Sequence, residues 1–169
     1  RDASPGRTGT RCYGGAMPPL TQRTIATVGT GMMAEAMIGG LLKGRLVEAS
    51  QVIASHPRAE RRDHLSAEYG IRVVPSNVEA LSDADVVLKV RPPEENRALG
   101  VHEADLLREG GTFVGFVWPA QNRELLNRLA ARKATVLGMD CVPRITRAQK
   151  MDTLSAMANI AGYRAVIEA

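Results

Sequence analysis

The sequence predicts an α/β protein built on a doubly wound, Rossmann-like parallel sheet of about six strands, with helices on both faces. A short apolar run at 25–28 ends in Gly29-Thr30-Gly31 and passes directly into a segment whose apolar residues have helical spacing. From residue 24 onward, strand-like and helix-like segments alternate, which is typical of parallel strands joined by right-handed crossovers. No low-complexity linker interrupts this alternation, so residues 21–169 are expected to form one domain.

The individual elements follow from apolar periodicity and from the turn residues between apolar runs. Strands are expected at 24–29, 51–55, 71–74, 84–90, 111–117 and 135–140. Helices are expected at 32–44, 58–69, 94–107, 121–132 and 153–168. Residues 1–20 have no periodicity and contain a Pro-Pro pair, so they are expected to be a disordered leader outside the domain.

The composition excludes several kinds of partner. The chain has 169 residues, a formal net charge of +4 and only 4% aromatic residues. Its charges are spread along the sequence and form no basic stripe with stacking rings, so no nucleic-acid partner is expected. No apolar run approaches the roughly 18 residues of a membrane span, so no direct span is expected. Cys12 and Cys141 stand alone, which fits a reducing, cytoplasmic location and argues against a metal site.

The glycine-rich segment predicts a phosphate-binding turn. Gly29 allows a sharp turn after the strand, Gly31 allows backbone N–H groups to approach a pyrophosphate, and Ala34 keeps the helix close to the sheet. Met32 and Met33 form the helix N-terminus, whose positive partial charge favours an anion. The alternative is that the glycines serve only the packing of the helix against the strand.

The end of the second strand indicates which dinucleotide is bound. A carboxylate there would hold the ribose hydroxyls of NAD, but the sequence reads Ser55-His56-Pro57-Arg58. A hydroxyl at Ser55 and guanidinium groups at Arg58 and Arg61 suit the 2′-phosphate of NADP. NADP is therefore favoured over NAD. The alternative is that Arg58 and Arg61 belong to the solvated face of the next helix.

Residues 17 to about 91 resemble the amino-terminal NADP-binding half of pyrroline-5-carboxylate reductase. The resemblance rests on Val28 to Leu42, Ser55, Asn77-Val78-Glu79-Ala80 and Ala84-Asp85-Val86-Val87-Leu88. It implies that NADPH is held by the glycine turn, Ser55, Arg58 and Asn77, and that the chain forms a homodimer. The sequence departs from this family at Val90-Arg91-Pro92-Pro93, where the family has Val-Lys-Pro-Gln.

Residues from about 84 to 169 resemble a second family, the amino-terminal region of the alpha subunit of proton-translocating NAD(P) transhydrogenase, which is related to alanine dehydrogenase. The resemblance rests on Asp85 to Pro93, Trp118 to Asn122, Val142 to Asp152 and Ser155 to Ala165. It implies that Arg144, Gln149, Asp152 and Ser155 surround the nicotinamide and position an NADPH-binding partner. It also implies beta or membrane subunits as partners, and a location peripheral to the inner membrane.

The residues of this loop permit two interpretations. Arg144 and Gln149 carry donors that could fix carboxamide and phosphate groups, with Asp152 orienting Arg144 and Ser155 bonding the nicotinamide amide. Alternatively, Asp152 is an N-cap and Thr153 opens the last helix.

The functional expectation is part of a hydride-transferring oxidoreductase that binds NADP or NAD. The preferred activity is that of the transhydrogenase, in which hydride passes from NADH to NADP coupled to proton translocation. One alternative is the reduction of pyrroline-5-carboxylate to proline. The other is an inactive nucleotide-binding module, because both families complete their active sites with a further domain that has no expected counterpart in this chain.

Overall fold

The computed structural model describes residues 20–96 and 100–168. The predicted disordered leader lies outside these residues, except for Leu20, which begins a short 3-10 helix at Leu20–Gln22.

A six-stranded parallel sheet forms the centre of the molecule. Its strands, in chain order, are β1 (Ile25–Thr27), β2 (Val52–Ser55), β3 (Arg72–Val74), β4 (Val86–Lys89), β7 (Thr112–Gly115) and β8 (Thr135–Gly138). The two intervening strands, at Glu95–Asn96 (β5) and Val101–His102 (β6), form a separate pair. Their order across the sheet is β3-β2-β1-β4-β7-β8. Ala26 at the centre of β1 pairs with Ile53 on one side and Val87 on the other. The predicted doubly wound sheet and its six strands are confirmed.

Helices cover both faces of this sheet. They are α1 (Met32–Lys43), α2 (Ala59–Tyr69), α3 (Asn77–Ser82) and α4 (Arg123–Ala131). The last helix, α5 (Thr153–Glu168), contains no buried residue. Successive side chains along each strand point to opposite faces of the sheet, so each strand contributes to two hydrophobic cores. Ile25 packs with Ile38 of α1 on one face, while Ala26 belongs to the core that contains Leu129 of α4 on the other.

The predicted helix at 94–107 is wrong. Residues Glu95–Asn96 form β5, which pairs antiparallel with β6 at Val101–His102, and a 3-10 helix at Glu103–Leu106 follows. Gly100 adopts a left-handed conformation, φ +63°, which a continuous α-helix does not allow. Ala104 and Leu107 are buried, and a 3-10 turn also places residues i and i+3 on one face.

The helix α3 is not among the predicted elements. Its N-cap is Ser76, whose side chain accepts a hydrogen bond from the Val78 N–H over 3.2 Å. A serine followed three residues later by Glu79 is a capping-box pattern, so the sequence did contain the signal for this helix.

One core joins the reductase-like and the transhydrogenase-like parts. Phe113, which is 1% exposed, packs in the same cluster as Val28 and Val74. Behind it, strands β4 and β7 approach so closely that a Cβ at Gly115 would lie 2.1 Å from the Lys89 carbonyl oxygen. The two parts therefore share a continuous sheet and one buried cluster.

Candidate dinucleotide-binding site

The glycine turn connects β1 to α1 at the carboxyl edge of the sheet. Gly29 has φ +71°, and the Gly31 N–H donates to the Gly29 carbonyl over 2.8 Å. Gly31 is the N-cap of α1 and offers no side chain to the first turn. The first N–H groups of a helix have no acceptor within the helix, so those of α1 are available to an anion.

The space above the turn is open. A Cβ added at Gly31 would meet no heavy atom within 4 Å, so the protein itself does not require glycine there for packing. Gly31 has φ −84°, which other residues also adopt. The open space in front of an uncapped helix N-terminus fits a pyrophosphate, and this fit is independent of any resemblance.

Polar side chains support the turn from below. The Gly29 N–H donates to Ser55 Oγ over 3.3 Å, and the Ser55 hydroxyl donates to Asn77 Oδ1 over 2.8 Å. The hydroxyl oxygens of Thr27 and Thr30 lie 3.2 Å apart, and both residues are fully buried. Ser55 is also fully buried, so the structure places Ser55 and Asn77 beneath the turn.

A recess of about 470 Å³ lies on the α2 side of the turn, and its wall carries several basic groups. Arg61 forms an ion pair with Glu35, and Arg62 donates to the carbonyls of His56 and Pro57. The side chain of Arg58 has no hydrogen-bond or ion-pair partner among the described residues. Arg58 is therefore the guanidinium of this wall that is available to a bound anion. The recess is lined by Gly31, Met32, His56, Arg58, Glu60, Arg61 and His64.

A second recess, of about 300 Å³, lies on the β4 side of the same turn. Its walls contain five of the predicted cofactor-binding residues together with the end of β4. The recess is lined by Val28, Gly29, Gly31, Met32, Met33, Ala34, Lys89, Val90 and Arg91. The structure thus brings all eight predicted cofactor-binding residues to one place, with six of them lining a recess and Ser55 and Asn77 beneath.

Glu35 connects the first turn of α1 to α2. A hydrogen bond from Arg61 is the main cause that lowers the pKa of the Glu35 carboxyl below its usual range, and the charge of Arg61 and contacts from His64 and Tyr69 act in the same direction. The Tyr69 hydroxyl donates to Glu35 Oε1 over 3.3 Å. Desolvation, followed by the Glu35 charge, raises the pKa of Tyr69. Glu35 is therefore held as a carboxylate at neutral pH.

Sequence reasoning missed a buried ion pair beside the turn. Lys89 Nζ lies 2.5 Å from Glu103 Oε2, and the Asn77 side-chain amide donates to Glu103 Oε1 over 3.1 Å. A lysine at the carboxyl end of an apolar strand was a signal for Lys89. Glu103 had no comparable signal, because it lies within the segment that was predicted to be helical.

The loop predicted to surround the nicotinamide lies at the end of β8. β4 and β7 separate β8 from β1, so the two strand ends lie about 14 Å apart. Among the described residues, no hydrogen bond or ion pair joins Arg144, Gln149, Asp152 or Ser155 to the glycine turn. The structure thus places the predicted residues in two groups on the same edge of the sheet.

Within this loop, Asp152 acts as a helix cap. Its carboxylate accepts from the Ser155 N–H over 3.0 Å and from the Ser155 hydroxyl over 2.5 Å. These hydrogen bonds, helped by the nearby charge of Arg144, lower the pKa of Asp152. Thr153 opens α5, and Arg144 and Gln149 are exposed. The N-cap interpretation describes what Asp152 does in this structure, while contacts of the loop with a nucleotide stay a prediction.

The fold and the site together define a class: a Rossmann-like α/β domain whose glycine turn has the geometry of a dinucleotide-binding turn. A family model, alanine dehydrogenase/PNT, N-terminal domain, matches residues 49–161, more than half of the chain. The chain belongs to this family.

Individual relatives support both parts of the composite. The chain is 57% identical over 107 residues to NAD(P) transhydrogenase subunit alpha of Cereibacter sphaeroides, covering 63% of this chain and 19% of that subunit. It is 45% identical over 75 residues to pyrroline-5-carboxylate reductase of Pseudomonas aeruginosa, covering 44% of this chain and 27% of the reductase. Both predicted resemblances are therefore confirmed. The chain spans less than a third of either of these two proteins.

The fold matches a solved structure of one of these families. The transhydrogenase from Sinorhizobium meliloti aligns with a TM-score of 0.64 and 29% identity, covering 86% of this chain and 43% of that chain. In the part of the chain that the structure describes, no helix has both the length and the apolar character needed to cross a membrane. The same residues contain no group of three or more His, Cys, Asp or Glu side chains arranged to hold a metal ion.

Proposed function

We propose that this chain is the nicotinamide-dinucleotide-binding part of a hydride-transferring oxidoreductase of the NAD(P) transhydrogenase alpha type. The observation that carries the proposal is the uncapped N-terminus of α1, which opens between two recesses at the carboxyl edge of a doubly wound sheet. In the whole assembly, hydride would pass from NADH to NADP, coupled to proton translocation.

The positions of the turn and of the two recesses fit one orientation of the bound dinucleotide. The pyrophosphate would lie on the first N–H groups of α1, at Met32, Met33 and Ala34. The adenosine end would enter the recess beside Arg58, whose guanidinium suits a 2′-phosphate and therefore favours NADP over NAD. The nicotinamide end, which supplies the hydride chemistry when bound, would face the recess at Lys89 and Arg91.

The exposed loop after β8 would contact a nucleotide that is bound mainly by another domain or subunit. Arg144 and Gln149 present donors to solvent, and Asp152 and Ser155 fix the start of α5 beneath them. The identity to a transhydrogenase subunit alpha supports an assembly with beta or membrane subunits at the inner membrane, and a homodimer is the alternative. In such an assembly the loop would contact a nicotinamide held mainly by another domain.

A second candidate function is the reduction of pyrroline-5-carboxylate by NAD(P)H. The glycine turn favours it, because Gly29 and Gly31 lie in the reductase-like part and precede residues 49–161, to which the alanine dehydrogenase/PNT model matches. If the chain binds nucleotide but catalyses neither reaction, it is an inactive nucleotide-binding module.

Titration of the purified chain with NADPH and with NADH tests the proposal. Nicotinamide fluorescence reports binding, and the melting temperature reports it independently, since a ligand of the native state raises the melting temperature. We expect both nucleotides to bind and NADPH to bind more tightly. A folded chain that binds neither nucleotide would overturn the proposal. Oxidation of bound NADPH by added pyrroline-5-carboxylate would favour the reductase function.

A further inference from the structure

Lys89 and Glu103 form a buried ion pair, and the proposed function uses Lys89 only as a residue that lines the nicotinamide recess and gives Glu103 no role. The two side chains are 13% and 10% exposed, and their charged atoms lie 2.5 Å apart. Lys89 Nζ also donates to the Pro92 carbonyl over 2.9 Å, and Glu103 Oε2 also accepts from the Glu94 N–H over 3.0 Å. Burying two charges is costly, so a pair that is so fully bonded invites a functional explanation.

The charges of Lys89 and Glu103 determine which atoms donate and which accept in the hydrogen bonds that connect Glu103 to the glycine turn. An ammonium can only donate and a carboxylate can only accept, so Asn77 must present its NH₂ group to Glu103. Its carbonyl Oδ1 then faces Ser55, and the single hydroxyl hydrogen of Ser55 is used on Asn77. The oxygen of Ser55 is left to accept the Gly29 N–H.

The resulting chain of hydrogen bonds joins distant segments of the sequence. Gly29 precedes residues 49–161, which the alanine dehydrogenase/PNT model matches, whereas Ser55, Asn77 and Glu103 lie within them. Lys89 lies where the two resemblances overlap and also lines the recess beside the turn.

We propose that Glu103, paired with Lys89, is a positioning residue for the dinucleotide turn, acting through Asn77 and Ser55 on Gly29. This inference rests on the proposed function, because it concerns the affinity of the same turn. A turn held in the binding conformation before the ligand arrives loses less conformational freedom on binding. The nucleotide affinity of the glycine turn after β1 therefore depends on a carboxylate that follows β6 in the chain.

The test compares three ligands. NADPH and 2′-phospho-ADP-ribose both contact the turn through a pyrophosphate, and the second has no nicotinamide that could contact Lys89. Adenosine 2′-monophosphate carries the 2′-phosphate for Arg58 but no phosphate that reaches the turn. The main variant is K89M/E103M, which replaces the pair by apolar side chains of similar length. Such replacements often leave stability unchanged or raise it. The matched control is K133M/E109M, which removes an exposed Lys–Glu pair with the same 2.5 Å separation.

In K89M/E103M we expect NADPH and 2′-phospho-ADP-ribose each to bind about tenfold more weakly, the effect of about one lost hydrogen bond. Adenosine 2′-monophosphate should bind as it does to the wild type, and the control should bind all three ligands normally. Unchanged affinity for 2′-phospho-ADP-ribose in a folded K89M/E103M chain would overturn the inference. An equal loss for adenosine 2′-monophosphate would also overturn it, because it would indicate general damage.

Glu103→Gln is a second, independent variant. The glutamine oxygen can accept from Lys89 and the Glu94 N–H, and its NH₂ group can donate to an Asn77 amide that has turned over and donates to Ser55. The chain of hydrogen bonds to Gly29 is then unbroken, and we expect Glu103→Gln to keep most of the affinity for NADPH. A tenfold loss would contradict the inference even if the double variant did not fold. A wild-type chain that does not bind NADPH would instead refute the proposed function.

Discussion

Arg61 is paired with the carboxylate of Glu35, which joins α2 to the first turn of α1. The pair removes one of the two guanidinium groups that the sequence offered to a 2′-phosphate. Arg58 lines the same recess and has no side-chain partner in the described part of the chain. In the proposed function, selectivity for NADP would therefore depend chiefly on Arg58.

Arg58→Ala should weaken NADPH binding about 10- to 100-fold and NADH binding far less, because a charge-assisted contact to the 2′-phosphate is lost. Fluorescence titration of both nucleotides measures the ratio. Arg72→Ala is a suitable control, since Arg72 lies at the amino end of β3 and pairs with Glu79. Equal losses for NADPH and NADH would show that Arg58 does not contact the phosphate.

Gly31→Val should abolish dinucleotide binding while the chain stays folded. The valine side chain would occupy the open space above the turn, where the pyrophosphate is expected. No protein atom lies within 4 Å of the new Cβ, so the free energy of unfolding should change by less than about 1 kcal/mol. Urea unfolding checks the stability and titration checks the binding. Normal affinity in the variant would refute the turn as the site.

The contribution of Glu35 to stability should depend on pH. Its pKa is lowered in the folded protein, mainly by the hydrogen bond from Arg61. A lowered pKa means that this contribution is complete above the usual glutamate pKa of about 4.3 and disappears as the pH falls through the folded-state value. Glu35→Gln should therefore be less stable than the wild type at pH 7, and the difference should vanish in acid.

Urea unfolding of both proteins between pH 7 and pH 3 measures this difference. Repeating the series in a His64→Ala background removes the contribution of the imidazole that lies 3.4 Å from Glu35. A difference that stays constant down to pH 3 would show that the charge of Glu35 is not involved.

Phe113→Ala should destabilise both parts of the composite together, by about 3–5 kcal/mol. Phe113 belongs to β7, yet it packs in one cluster with Val28 and Val74 from the reductase-like part. Fluorescence of Trp118, in the carboxyl-terminal part, and far-ultraviolet circular dichroism should report the same urea transition in wild type and variant. Separate transitions would mean that the two parts fold as independent units. Leu46→Ala, at a side chain 51% exposed, is the control.

Local sequence patterns predicted most of the fold because sheet and helix periodicities are set by near neighbours. Such patterns predict the turn at Gly29 and the helices α1, α2, α4 and α5, and the structure contains each of them. The predicted helix at 94–107 is wrong because Gly100 adopts a positive φ, which apolar periodicity does not reveal.

By itself, the sequence determined the doubly wound fold, the glycine turn between β1 and α1, the family and the resemblance to a second family. Only the tertiary structure decided which polar side chains meet. The Asn77–Glu103 and Lys89–Glu103 contacts join residues 26 and 14 positions apart, and they exist because the strand order and the turn at Glu103 bring these positions to one edge of the sheet. The same strand order separates the glycine turn from the loop after β8. Periodicity specifies an element and its buried face, whereas contacts between elements depend on how the whole sheet is assembled.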